Sequence, residues 1–236
     1  REALAMDPQQ RLFLEESWKT FEDAGYSDRD LDGARCGVFV GCKIADYLIR
    51  LQGLGDQVEG HAMSGNDISM LPARLSYFLN LRGPSLPINT ACSSSMVALH
   101  LACESLLGGT CDMALVGGVE LMTSPGIYQA LSSAGALAPS PECRPFDDRA
   151  NGVVLGEGVC AVLLKPLAAA LADGDPIRGV IRGSAVNNDG FSNGLTAPNP
   201  AAQEALLRDA YARAGIRPDQ VRYVEAHGTG TTFGDP

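Results

Sequence analysis

A short extended segment that turns sharply into an apolar helix dominates this sequence. Residues 85–89 have extended character, a sharp turn is predicted at Cys92, and the serines after it are small enough to let a substrate approach. The following helix is apolar on nearly every side, which is typical of a helix in a protein interior, and Gly108 ends it. Cys92 is therefore predicted at the start of a buried helix, where free N–H groups and the helix dipole favour a thiolate. The alternative is that Cys92 is only a small core residue, because free cysteines are often buried.

Apolar runs bounded by glycine alternate with amphipathic segments along the chain. Buried strands are predicted over residues 36–41, 113–119, 153–167 (with a break at 156–158), 177–186 and 221–226. Helices are predicted over residues 9–24, 44–54, 66–81 and 203–214, with Asp7 as the cap of the first, and a polar loop over 55–65. This alternation predicts an α/β fold.

A second candidate residue follows the last of these predicted strands. His227 begins the run His-Gly-Thr-Gly-Thr, so Cys92 and His227 both lie at strand ends, where α/β proteins usually place their sites. A cysteine with a histidine indicates thiol acyl transfer, in which the thiolate attacks a carbonyl while the imidazole moves protons or stabilises an oxyanion. Residue types alone leave a peptidase and an acyltransferase both open.

Charge and cysteine usage exclude several classes of function. The net charge of −10 argues against general binding to nucleic acid or to anionic membranes. No segment has the long apolar run of a membrane span, and the first residues have no signal-peptide pattern. The seven cysteines include no Cys-x-x-Cys pair and only three histidines are present, so neither a metal site nor a disulfide framework is predicted. Reduced thiols fit a cytoplasmic protein.

The motifs around Cys92 and His227 resemble those of one enzyme family. The chain resembles the β-ketoacyl synthase (ketosynthase) domain of bacterial modular type I polyketide synthases over nearly all of its 236 residues. The matching blocks are residues 6–11, 82–85, 90–95 (Thr-Ala-Cys-Ser-Ser-Ser), 146–147, 156–158, 187–190, 225–231 (Glu-Ala-His-Gly-Thr-Gly-Thr) and 234–236. Residues 12–18 resemble synthases whose acyltransferases act in trans.

The resemblance implies a thiolase-like fold, with two similar α/β halves related by a pseudo-twofold axis and arranged in five layers. On that pattern residues 1–167 are most of the first half, and residues 177–236 are the start of the second. The chain is then expected to be an internal fragment, truncated at both ends. The family's second active-site histidine would lie beyond residue 236, so we expect the chain alone to be inactive.

The resemblance also implies a reaction. Cys92 would take an acyl chain from the phosphopantetheine arm of an acyl carrier protein, and its backbone N–H would donate to an oxyanion hole. A malonyl-type extender would lose carbon dioxide, and its carbanion would attack the Cys92 thioester in a Claisen condensation. His227 would assist the decarboxylation, while Thr229 and Thr231 would lie beside the pantetheine arm. The alternative for both threonines is that they only cap the turn.

The same resemblance implies partners, and it leaves alternatives open. An acyl carrier protein, a second copy in a homodimer and neighbouring synthase domains are implied, with no cofactor bound by the domain itself. The family usually has aspartate where this chain has Asn89, which leaves room for a non-elongating ketosynthase that binds carriers or transfers acyl groups. A thiol peptidase is the third hypothesis, although no residue that would orient its histidine is evident.

Overall fold

The computed structural model describes residues 1–43, 46–53, 60–194 and 197–235. They form two compact units. The first consists of Arg1–Ser124 with Glu157–Val180, and the second of Pro125–Gly156 with Ile181–Pro236. Residues 125–156 thus group with the C-terminal part of the chain. The division into halves at residues 167 and 177 stays a prediction.

A four-stranded sheet forms the centre of the first unit. Its strands are β1 (Cys36–Gly41), β2 (Ser85–Ile88), β3 (Met113–Glu120) and β4 (Gly158–Leu164), in the order β2-β1-β3-β4. Strand β1 pairs in parallel with β2 and β3, whereas β4 is antiparallel to β3. All six residues of β1 are buried, as expected for an inner parallel strand covered on both faces. The carboxyl ends of β1, β2 and β3 therefore share one edge of the sheet, and the predicted α/β class is confirmed.

Helices cover both faces of this sheet. The helices of the first unit are α1 (Glu2–Ala5), α2 (Pro8–Asp23), α3 (Asp28–Leu31), α4 (Tyr47–Gln52), α5 (His61–Asn66), α6 (Met70–Phe78), α7 (Ser94–Leu107) and α9 (Leu167–Asp173), of which α2 and α6 pack on one face of the sheet and α7 on the other. The second unit contains α8 (Gly126–Ser133) and α10 (Pro200–Ala214). The Asp7 carboxylate caps α2 as predicted, accepting the Gln9 N–H at 2.6 Å. One core contains Phe13 of α2 and Leu75 of α6, and the other contains Ala98 of α7.

Helix α7 is buried on one face only, so the prediction of burial on nearly every side is wrong for the described residues. Its buried residues are Ser94, Ala98 and Ala102, which follow each other at four-residue intervals and face the sheet. Met96 and Leu107 on other faces are 65% and 83% exposed. The composition of α7 is that of an interior helix, but within the described ranges only the sheet side is covered.

Two predicted strands in the C-terminal part are also absent. Residues 177–186 and 221–226 form no strand among the described residues. A strand requires a hydrogen-bonded neighbour, and an apolar alternating pattern predicts only that a segment can be extended. Gly183 instead lies against α10, where an added Cβ would meet the Ala214 backbone nitrogen at 2.7 Å.

The remaining predictions differ from the structure at boundaries. The helix expected over residues 44–54 is α4 in its described part, while residues 44, 45 and 54 lie outside the described residues. The loop expected over 55–65 is described from residue 60 onward, where α5 begins at His61. The helix expected from residue 66 begins at Met70, and β4 begins at Gly158 after the predicted break. None of the described helices is long and apolar enough to cross a membrane.

Candidate active site

Cys92 lies where β2 passes into α7. Strand β2 ends at Ile88, a single 3-10 turn spans Ala91–Ser93, and α7 begins at Ser94. Because β2 runs parallel to β1, the turn is at the carboxyl edge of the sheet. The Cys92 side chain is exposed there, unlike the buried thiols of Cys36 and Cys111. The structure therefore excludes the alternative that Cys92 is a core residue of the first unit.

The turn is strained one residue before Cys92. Ala91 has φ = +56°, in the left-handed region, which costs a residue with a Cβ about 1–2 kcal/mol. Its backbone N–H donates to the Asn89 side-chain oxygen at 3.3 Å, which closes a local turn. An amide oxygen and a carboxylate can both accept this hydrogen bond, so asparagine forms the same turn that an aspartate at this position would form.

Two glycines let the start of α7 approach the strand ends. A Cβ on Gly41, at the end of β1, would lie 2.5 Å from the Ser95 backbone nitrogen. A Cβ on Gly118, in β3, would lie 3.0 Å from the Ser95 Cβ. Both positions require glycine, because the start of α7 occupies the space that a side chain on either strand residue would fill.

Gly41→Ala is expected to destabilise the first unit by about 3 kcal/mol, because the new methyl group meets three backbone atoms of residues 94 and 95 that cannot rotate away. Urea unfolding of the intact protein measures this loss. Gly158→Ala is the matched control, since a Cβ on this other strand glycine would meet no atom within 4 Å. Equal stabilities of the two variants would contradict the close approach of α7 to β1.

The His227 motif lies in the second unit. The His227 side chain is exposed, and Gly228 and Gly230 have φ angles of +47° and +73°. These angles fold the motif back so that the hydroxyl oxygens of Thr229 and Thr231 lie 3.0 Å apart. The structure therefore brings the two predicted pantetheine-binding hydroxyls together.

Asp235 holds this motif, a role that the sequence did not reveal. Its carboxylate accepts the Thr229 hydroxyl at 3.3 Å and the Gly230 N–H at 3.1 Å. It also accepts the Phe146 N–H at 2.8 Å, and this hydrogen bond with those from the motif lowers the pKa of Asp235. The carboxylate thus joins the motif to the loop that begins Phe146-Asp147. The only sequence signal was its place in the block 234–236, of which Pro236 lies outside the described residues.

Asp235→Asn is expected to loosen this loop, because an amide presents an NH₂ group to donors where the carboxylate presents only acceptors. Amide exchange at Gly230 and Phe146 should quicken roughly tenfold near neutral pH. The lowered pKa gives the pH dependence: the carboxylate contributes stability above its unfolded pKa of about 3.9, and this contribution is lost as the pH falls through the lower folded value. Unchanged exchange in Asp235→Asn would contradict this role.

A separate polar cluster lies at the opposite edge of the sheet. The Lys165 ammonium group, which follows β4, contacts the Tyr26 hydroxyl at 2.8 Å and the Asp175 carboxylate at 2.7 Å. Asp173 makes a further ion pair with Lys165. These mutually satisfied groups connect the end of α9 to the loop after α2, which is a structural role.

The predicted site residues are therefore divided between the two units. Cys92 belongs to the first unit, and His227, Thr229 and Thr231 belong to the second. In the part of the chain that the structure describes, no three His, Cys, Asp or Glu side chains are grouped so that they could hold a metal ion. The site residues predicted from the sequence are the exposed Cys92 thiol, the exposed His227 imidazole and the adjacent hydroxyls of Thr229 and Thr231.

Comparison with protein families gives two adjacent matches that together span nearly the whole chain. Residues 1–170 match the model of the beta-ketoacyl synthase N-terminal domain, and residues 178–236 match the model of its C-terminal domain.

Curated relatives are polyketide synthases much longer than this chain. A phenolphthiocerol/phthiocerol polyketide synthase of Mycobacterium tuberculosis (strain H37Rv) is 52% identical over 235 residues, which are 100% of this chain and 12% of that protein. Polyketide synthase PksN of Bacillus subtilis (strain 168) is 50% identical over 236 residues, which are 100% of this chain and 4% of that protein.

Solved structures of ketosynthases have the same fold. The ketosynthase from module 6 of the bacillaene synthase of Bacillus subtilis 168 aligns with a TM-score of 0.90 at 48% identity, covering 98% of this chain and 39% of that one. The oxazolomycin ketosynthase domain OzmH KS7 of Streptomyces albus JA3453 aligns with a TM-score of 0.92 at 42% identity, covering 99% and 40%.

Proposed function

This chain belongs to the β-ketoacyl synthase family, as a homologue of the ketosynthase domains of modular polyketide synthases, and we propose that it contributes to chain elongation in polyketide biosynthesis. The fold is accordingly thiolase-like. The observation that carries the proposal is the exposed Cys92 thiol on a strained turn at the carboxyl edge of the sheet. In the proposed domain, residues 1–167 supply most of the first thiolase half and residues 177–236 begin the second.

The first half of the proposed reaction is acyl loading. The Cys92 thiolate attacks the carbonyl carbon of an acyl-pantetheine thioester, so a new C–S bond forms, and the pantetheine thiolate leaves and takes up a proton. The Cys92 backbone N–H donates to the oxygen that carries the negative charge in the tetrahedral intermediate. The pantetheine arm belongs to an acyl carrier protein and is a substrate, and the domain itself binds no cofactor.

The second half is decarboxylative condensation. A malonyl thioester on a second carrier loses carbon dioxide, and the carbanion that remains attacks the Cys92 thioester carbonyl. A C–C bond forms, the Cys92 thiolate leaves, and the β-ketoacyl product stays on the carrier. His227 donates a hydrogen bond to the extender's thioester oxygen, which holds the charge as carbon dioxide departs. Thr229 and Thr231 bind the amide groups of the arm with their adjacent hydroxyls.

Partners follow from the same proposal. In the cytoplasm the protein exchanges acyl groups with the acyl carrier protein and works beside neighbouring synthase domains. A second copy of the protein completes a homodimer. Support for the homodimer is the position of β2 at the end of the sheet order, where its outer edge can meet another strand.

The test is to supply the intact protein with an acyl-pantetheine thioester and a labelled malonyl carrier. We expect three products: acylated Cys92 by peptide mass spectrometry, released labelled carbon dioxide, and a β-ketoacyl carrier. Acylated Cys92 without carbon dioxide release would replace elongation by the carrier-binding or transacylase function. Cleavage of peptide substrates that stops when Cys92 is alkylated would show a thiol peptidase.

A further inference from the structure

The hydroxyl of Ser94 bridges the two sides of the turn that carries Cys92. The Ser94 Oγ accepts the Thr90 N–H at 2.9 Å and donates to the Ala91 carbonyl at 2.7 Å. Ser94 is only 8% exposed, so water does not easily replace these bonds. We propose that Ser94 is a positioning residue for the thiol chemistry of Cys92, an inference that rests on the proposed function.

The Ala91 carbonyl is the group through which Ser94 acts. This carbonyl and the Cys92 N–H belong to one planar peptide unit, so they point in opposite directions and turn together. The Ser94 hydroxyl and the Ser94 N–H both donate to this carbonyl. Fixing the carbonyl therefore aims the Cys92 N–H, which is the proposed oxyanion donor. An oxyanion donor is effective only when it is held in place before charge develops.

The strain at Ala91 explains why this peptide unit needs a clamp. A residue with a Cβ leaves the left-handed region unless its surroundings impose it. The Ser94 hydroxyl joins the backbone on both sides of Ala91, whereas the Ser93 hydroxyl bonds only to Thr90, at its carbonyl and its hydroxyl. Ser94 is therefore the serine of this motif whose side chain holds Ala91 itself.

The experiment compares Ser94→Ala with two other variants of the intact protein. Ser17→Ala is the matched control, because Ser17 is also buried and its hydroxyl donates to the Phe13 carbonyl within α2. The double variant Ala91→Gly with Ser94→Ala removes the clamp together with the Cβ that makes the left-handed conformation costly. Each variant is assayed for acyl transfer from an acyl-pantetheine thioester to Cys92. Each is also assayed for alkylation of the Cys92 peptide by iodoacetamide, a displacement in which no oxyanion forms.

We expect Ser94→Ala to slow acyl transfer roughly tenfold or more while the alkylation rate stays near that of the wild type. Ser17→Ala should keep both rates, and the double variant should recover part of the acyl transfer. A crystal structure of Ser94→Ala, in which Ala91 should leave the left-handed region, tests the clamp without reference to function. The role of Ser94 would be overturned if Ser94→Ala kept the wild-type rate of acyl transfer, or if it lost acyl transfer and alkylation equally. It would also be overturned if the double variant recovered no acyl transfer, or if Ala91 stayed in the left-handed region in the crystal structure. A wild-type protein that is alkylated but never acylated would instead overturn the proposed function.

Discussion

Cys92→Ala is expected to abolish transfer of an acyl group from a pantetheine thioester to the protein. In the proposed reaction the acyl chain must be held covalently while its first carrier is exchanged for the second, and alanine has no atom that can form the thioester. We expect acylation to fall by about a thousandfold or more, to the level of non-specific modification. Intact-protein mass spectrometry measures the added acyl mass, and peptide mapping assigns it.

The control for this experiment is Cys160→Ala. Cys160 lies in β4 and is exposed like Cys92, but it follows no strand-to-helix turn. Its removal should leave acyl loading unchanged. The contrary result is that the Cys92→Ala protein is still acylated while the Cys160→Ala protein is not. The nucleophile assignment would then be wrong, and exposure of a thiol, not its place on the turn, would determine loading.

Local sequence patterns predicted those features of the fold that depend on residues close together in the sequence. The glycine-bounded apolar runs of β1 and β3 predict buried strands by themselves, because inner strands covered on both faces are apolar at nearly every position. The turn at Cys92 and the cap at Asp7 were likewise predictable, since a few neighbouring residues determine them. The hydrogen bond from the Ala91 N–H to the Asn89 side chain is visible only in the structure.

Features that depend on distant residues were not predictable from pattern. Residues 177–186 have the alternation of a strand, but alternation does not supply the neighbour that a strand requires. Asp235 accepts the N–H of Phe146, which is 89 residues away, and no local pattern indicates that contact. The composition of α7 indicated burial, but composition does not say which faces the described elements cover.

The hydrogen bonds of the Ser94 hydroxyl to Thr90 and Ala91 lie between these two cases, because their groups are local but their pairing was not predictable. The partners of this hydroxyl are only three and four residues away, so the sequence contained every group involved. Serines beside a turn commonly bond to the local backbone, but several pairings are possible. Only the left-handed Ala91 shows which pairing matters, because it makes one hydroxyl span both sides of the strained residue.

His227→Ala is expected to separate the two halves of the proposed reaction. Acyl loading depends on Cys92, its turn and the peptide N–H groups of the first unit, so it should largely survive. Decarboxylation depends on a donor at the extender's thioester oxygen, and removing one such donor typically costs about 10²- to 10³-fold in rate. Release of labelled carbon dioxide from a malonyl carrier and acylation of Cys92 are measured on the same preparation. His61→Ala is the control, because His61 is exposed but lies in the first unit at the start of α5.

The ratio of the two rates decides the meaning of the His227 result. A fold defect in His227→Ala would lower loading and decarboxylation together, so a selective loss of carbon dioxide release identifies a chemical role. If both rates survive, the exposed imidazole takes no part, and Thr229 and Thr231 alone would connect this motif to the substrate. If loading is lost selectively, His227 acts on Cys92 itself as the base of a thiol transferase, and the assignment of the imidazole to the extender is wrong.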